Sequence, residues 1–222
     1  MFKIIKGFTM AEVLITLGIL GVVIAMTLPA LINKYQEVQF KSAYKKAYAD
    51  LSNAFASGFI NQEFTRTAKY EIAATKEEFN FMKNKFKILI DCENKDIYRC
   101  WKKGDTVCGG SCSSGDSNSG IDLENGLPAD NGKSFCFIDG SGRSWCSYSD
   151  SENIYIVDTN GFSNPNRFGK DRWMFTFADA NNSRISQGVK YKKVIPYYLQ
   201  DILTQSAFCK YPPCYYESWL LR

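Results

Sequence analysis

Twenty consecutive residues, Val13 to Ile32, carry no charge. As a helix rising about 1.5 Å per residue, such a run spans roughly the 30 Å hydrocarbon core of a bilayer. Beyond it, Phe40, Tyr44, Ala47, Tyr48, Leu51 and Phe55 recur at three- and four-residue steps, the mark of an amphipathic helix whose apolar stripe packs against another layer. A second helix is predicted from Thr75, whose hydroxyl would cap it while Glu78 reaches back, with Phe79, Met82, Phe86 and Leu89 lining the inner face. After Cys92 the pattern changes to short runs between turn residues. Strands are predicted at Ser134–Asp139, Arg143–Tyr148, Ile154–Asp158 and Trp173–Ala178. A long N-terminal helix packed on a small antiparallel sheet is an α+β arrangement.

The 222 residues and 45% apolar content suffice for one folded domain besides the N-terminal helix. The charge is modest, 27 Lys and Arg against 23 Asp and Glu, or +4. No nucleic-acid partner is expected at that charge, because nucleic-acid-binding domains gather Lys and Arg into a basic face. Lys41, Lys45 and Lys46 read as the solvated side of the helix. The chain has no histidine, which excludes Ser-His-Asp and Cys-His catalysis and His-ligated zinc. Neither a G-x-S-x-G elbow nor a G-x-x-x-x-G-K-[ST] loop occurs. The expectation is a protein that is not an enzyme and uses no cofactor.

Eight cysteines lie beyond the apolar run: Cys92, Cys100, Cys108, Cys112, Cys136, Cys146, Cys209 and Cys214. An even count in an exported domain points to disulfides, and the absence of C-x-x-C spacing argues against a zinc ribbon. The strands on either side of Gly140-Ser141-Gly142 set Cys136 opposite Cys146. Cys209 and Cys214 flank Pro212-Pro213, where a turn would close a small ring. Pairing among Cys92, Cys100, Cys108 and Cys112 stays open; they would staple the Gly/Ser-rich stretch from 104 to 120.

The N-terminus adds a more specific signal. Lys3 and Lys6 precede Gly7, and Phe8, Glu12 and Pro29 follow at set distances. A secretory signal peptide is cut after its apolar stretch, whereas here a short basic leader ends before it. These four positions resemble the type IV pilin family, which includes the pseudopilins of type II secretion; the resemblance covers the first thirty-odd residues. It implies that Gly7 is the last leader residue, and that a prepilin peptidase cuts there and N-methylates Phe8. It further implies that Glu12 serves assembly and that Pro29 bends the helix. The implied organisation is a leader at 1–7, a transmembrane and filament-core helix at 8–35 and an exported head at 36–222. The basic leader stays cytoplasmic by the positive-inside rule.

Glu12 then carries particular weight, because a carboxylate within a membrane helix costs on the order of 2.5 kcal/mol or more unless partnered. The resemblance implies a pair with the free amine of Phe8 on a neighbouring subunit, which would set the axial register of stacked helices. The competing reading places Glu12 at a helix N-terminus, where the macrodipole favours an anion. Pro29 either bends the helix or ends it. Gly18 and Gly21 offer a small-residue face for close helix contact.

The stretch from Asp158 to Asp171, D-x-N-G…P-N…G-x-D, resembles a segment found between sheet strands in many pilin-like proteins. Its oxygen donors, Asp158, Asn160 and Asp171 among them, are of the kind Ca²⁺ takes, although the spacing is not that of an EF-hand. The favoured reading is that Asn and Asp bond their own backbone to shape turns, with Gly161 and Gly169 at positive φ, and that no metal is held. Asn181-Asn-Ser183 fits a glycosylation sequon, a short pattern frequent by chance. The aromatic C-terminal run Phe208–Arg222 is read as core or subunit packing.

The resulting expectation is a structural subunit of a type IV pilus-like filament, whose partners are other pilin subunits, the prepilin peptidase and the inner membrane. It would be a single-pass inner-membrane protein before assembly, and later part of a periplasmic or cell-surface filament. The alternatives are a pseudopilin that moves proteins through a type II secretion system, and a minor tip pilin that binds a ligand.

Overall fold

The computed structural model describes residues 7–61, 72–93, 97–102, 134–148, 154–167, 170–178 and 192–196. Two compact units are separated at Gln39/Phe40. Helix α1, Met10–Ile60, contains Pro29 within its helical run, so the proline does not end the helix. In the first unit the α1 side chains are exposed throughout, including Leu14, Ile19, Val23 and Leu31. This part of α1 is long and apolar enough to cross a membrane.

In the second unit, α1 from Phe40 onward and helix α2 (Ile72–Lys83) pack on one face of a six-stranded antiparallel sheet. The strands are β1 (Ile88–Glu93), β2 (Ser134–Asp139), β3 (Ser144–Tyr148), β4 (Ile154–Asp158), β5 (Arg172–Ala178) and β6 (Lys193–Pro196), and they lie side by side in sequence order. The chain is thus α+β, with a long N-terminal apolar helix and a disulfide-bonded antiparallel sheet. The predicted stripe on α1 forms the middle of the core. Tyr44, Ala47, Leu51 and Phe55 are buried, and Phe40 and Tyr48 pack at its margin. Facing them are alternate residues of the sheet: Phe135, Phe137, Trp145, Tyr155, Val157, Trp173, Phe175 and Phe177. The two-residue period of a strand against the 3.6-residue period of a helix explains why each element contributes one face only. Tyr44 lies 4.3 Å from the Trp173 ring, and Phe55 meets Phe177 edge-on at 4.6 Å.

The second helix differs from the sequence-based expectation at both ends. It begins at Ile72, so Thr75 lies within it and does not cap its start. It ends at Lys83, closed by short-range bonds from Lys85 N to the Met82 carbonyl (2.9 Å) and from Phe86 N to the Lys83 carbonyl (3.0 Å). Phe79 and Met82 are buried as expected, but Phe86 packs from the bend after the helix. Leu89 is not on a helix face at all; it belongs to β1 and is 58% exposed. The run Ile88-Leu89-Ile90 suits a pleated edge better than a helix, since its branched side chains favour strands. Lys83 reaches across to Asp91 at 2.7 Å, tying the helix end to that strand.

Asp139 organises the β2–β3 hairpin. Its Oδ1 accepts the backbone N–H of Ser141 and of Arg143, while Oδ2 accepts Arg143 Nε at 2.7 Å and Trp145 Nε1 at 2.8 Å. Gly142 turns the chain at φ 82°, a conformation that glycine adopts without steric cost. The face of the sheet away from α1 is buried as well, through Cys136, Ile138, Cys146, Ile156 and Met174.

Candidate functional site

Apart from the cysteines, the described residues singled out as candidate sites fall into two separate places, one in each unit. At the start of α1, Gly7 and Phe8 are exposed, and Thr9 is the residue before the first helical position. Thr9 N and Thr9 Oγ1 both donate to Glu12 Oε2 at 2.9 Å, and Glu12 N donates to Thr9 Oγ1 at 3.3 Å. This is a reciprocal capping box, which satisfies N–H groups that the first turn of a helix leaves without partners. The sequence carried the signal, T-x-x-E at residues 9 to 12, immediately before the apolar run. Glu12 therefore has a local role at the helix start. Both bonds it accepts fall on Oε2, and Oε1 meets no donor among the described residues.

The second place is the connection between β4 and β5. Asp158 and Arg172 are directly opposed across those strands. Arg172 Nε lies 2.7 Å from Asp158 Oδ2, and neither side chain is exposed. The guanidinium also donates from Nη2 to Asn166 Oδ1 at 3.2 Å and to the Lys102 carbonyl, and it lies 4.5 Å above the Trp101 ring. Asp171 turns inward on the same loop, its two oxygens accepting the backbone N–H groups of Asn166 (2.7 Å) and Arg167 (2.6 Å). Asn166 has φ 53°, a left-handed conformation that Asn tolerates better than most residues. Asn160 Nδ2 donates to the Asn164 carbonyl at 3.1 Å, and the Asn164–Pro165 peptide is cis. Gly161 has φ 64°, and any Cβ there would run into the carbonyl of Gly142, so both conformation and space require glycine.

Burial and the neighbouring Asp171 charge push the Asp158 carboxyl up to about 7, against the pull of Arg172. Burial raises Asp171 too, opposed by the two backbone N–H groups it accepts. Asp158 Oδ1 accepts the backbone N–H of Asn160 at 3.3 Å and Asp171 holds the turn backbone, the local bonding expected from the sequence, whereas the pairing of Asp158 with Arg172 was not expected. Gly169 lies outside the described residues. Melting of the full chain in detergent is expected to be the same in calcium and in chelator. A bound cation at a hundredfold excess over its Kd would add about 2.7 kcal/mol, so a chelator-induced drop abolished by Asp158→Ala would overturn this.

Two disulfides brace the sheet. Cys136 is bonded to Cys146 across β2 and β3, as the hairpin register requires, and Cys92 on β1 is bonded to Cys100 just after the 3₁₀ turn Ile97–Arg99. Cys108, Cys112, Cys209 and Cys214 lie outside the described residues. The cluster around Arg172 escaped sequence analysis in part, because Trp101 and Lys102 are about seventy positions away in the chain. Compared with family models, with characterised proteins and with solved structures, the chain finds no match.

Proposed function

We propose that the chain is a structural subunit of a type IV pilus-like filament, cut between Gly7 and Phe8 by a prepilin peptidase, methylated on Phe8 and assembled through its N-terminal helices. The observation that carries this reading is the start of α1: an exposed Gly7-Phe8 step, a carboxylate at Glu12, and then an apolar helical face with no cover among the described residues. So much exposed apolar surface in water costs roughly 25 cal/mol per Å². A bilayer before assembly and other helices afterwards would remove that cost. The capping box is compatible with the proposed role of Glu12, since Oε2 holds the helix start while Oε1 is left to meet the Phe8 amine of a neighbouring subunit. The same helix serves a pseudopilin of type II secretion equally well.

Intact mass and N-terminal sequencing of protein from its native host are expected to begin at Phe8 with one added methyl group. A mature protein beginning at Met1, or one cut beyond Ile32, would sink the proposal. Sheared surface fibres containing this chain support a pilus; processed chain with no surface fibre, together with loss of protein export on its deletion, supports the secretion role instead.

Glu12→Ala is expected to leave insertion and cleavage intact, because the apolar span is untouched, while lowering incorporation into filaments. Glu12→Gln keeps an acceptor for the cap but loses the charge, so it separates capping from pairing. If both variants assemble normally, the charge pair does not drive assembly.

A further inference from the structure

The register of the sheet puts three cysteines in one line. Cys92 faces Cys136 across β1 and β2, and Cys136 faces Cys146 across β2 and β3. Directly opposed residues project from the same face, and neighbouring strands lie about 4.8 Å apart. The Cys136–Cys146 bond runs along this line, while Cys92 leaves it to join Cys100. The Cα separation of opposed residues, about 4.5 to 5.5 Å, falls within the range that disulfides span. A Cys92–Cys136 bond is therefore a further pairing that the backbone already permits.

We propose that this row is a thiol–disulfide exchange site, in which Cys92 shuttles between Cys100 and Cys136. Displacement at sulfur proceeds with attacking, central and leaving atoms in line, and the three strands supply Cys92, Cys136 and Cys146 in that order. All four cysteines are buried, Cys100, Cys136 and Cys146 at 0%, 1% and 0% exposure; Cys92, on the edge strand at 5%, is the least covered of them and the sulfur that a small reductant reaches first. A small dithiol reductant supplies two electrons and two protons to Cys92–Cys100, leaving as its own cyclic disulfide and producing two thiols. Cys92, deprotonated, then attacks Cys136 Sγ. The Cys92–Cys136 bond forms, the Cys136–Cys146 bond breaks, and the electron pair departs on the Cys146 sulfur, which takes up a proton. This second step changes no oxidation state; its reversal restores Cys136–Cys146, and Cys92–Cys100 re-forms when its two thiols return two electrons and two protons to the cyclic disulfide of the reductant. The row thus gives a buried disulfide a route to rearrangement through the sheet edge.

The test uses the full oxidised chain in detergent, treated with limiting dithiothreitol at about pH 8.5, near the ordinary cysteine pKa, then acid-quenched, alkylated and mapped. The expected product is a Cys92–Cys136 peptide with Cys100 and Cys146 alkylated, in clear excess over Cys92–Cys146, Cys100–Cys136 and Cys100–Cys146. Independent loss of the two native bonds, or an even spread of the four non-native pairs, overturns the proposal. In Cys100→Ser, a share of molecules is expected to label at Cys146. Full retention of Cys136–Cys146 with labelling at Cys92 overturns it as well, and the wild-type titration decides alone if that variant does not fold.

Discussion

Arg172→Met is expected to destabilise the sheet unit by about 3 to 5 kcal/mol at neutral pH, the usual cost of leaving one member of a buried ion pair without its partner. Arg172 is the cation held between Asp158 and Asn166, and its removal leaves the buried Asp158 carboxyl without its ion-pair partner beside the buried Asp171. The sign of the pH dependence follows from their titration. Asp158 is raised from 3.8 to about 7 and Asp171 is raised in the same direction, so the folded form binds protons more tightly than the unfolded one. Stability therefore falls as pH rises from about 4 towards 7. Without the arginine the Asp158 carboxyl moves further up. The deficit of the variant should thus be largest at neutral pH and shrink towards pH 4. Denaturant unfolding of the full chain in detergent across that range measures it, and a deficit independent of pH would show that lost packing on Trp101 dominates. Asp158→Leu combined with Arg172→Met should recover part of the loss, because a matched apolar pair leaves no buried charge.

Phe55→Ala should cost a similar amount, about 3 to 5 kcal/mol, by a different mechanism. Its ring is fully buried where the α1 stripe meets the sheet, at 4.6 Å from Phe177, 5.2 Å from Tyr155 and 5.8 Å from Phe59. Truncation removes both the transfer gain and the contacts lining the vacated space. The loss should be nearly constant with pH, which separates it from the arginine variant in one experiment. Thermal melting should shift by about 2 to 4 °C per kcal/mol. A shift within a degree or two of wild type would mean that Phe59 and Phe81 collapse into the gap.

The strongly patterned elements were legible in the chain. Ser134–Asp139 and Ile154–Asp158 fall where alternation and turn residues placed them, and the stripe from Phe40 to Phe55 faces the sheet. Strand β1 was hidden because its register slips between Ile88 and Ile90, which breaks the two-residue period, and because Leu89 matched the spacing of the preceding helix. Strand β6 has four residues and ends in proline, too short for a pattern and suited only to an edge. The hairpin disulfide was legible because both cysteines sit in strands joined by a tight turn. Cys92–Cys100 was not, because it depends on the 3₁₀ turn between them. Arg172 drew no attention as the first residue of a strand, since its partners become neighbours only once β4 and β5 pair and Trp101 arrives from elsewhere in the chain.

The sequential order of the six strands also bears on how the head is made. Each strand pairs with the one synthesised just before it, and the two disulfides close loops of only 8 and 10 positions. From β2 to β4 such a meander can grow rung by rung in the order of delivery across short connections, whereas pairing β1 with β2 closes the long stretch between Glu93 and Ser134. The α1 stripe is a further exception, because Tyr44 rests on Trp173 and Phe175, both on β5. The first element made therefore waits for the fifth strand before its aromatic face is covered. A nascent chain halted before β5 would present both a sticky helix and an unpaired β4 edge to its neighbours.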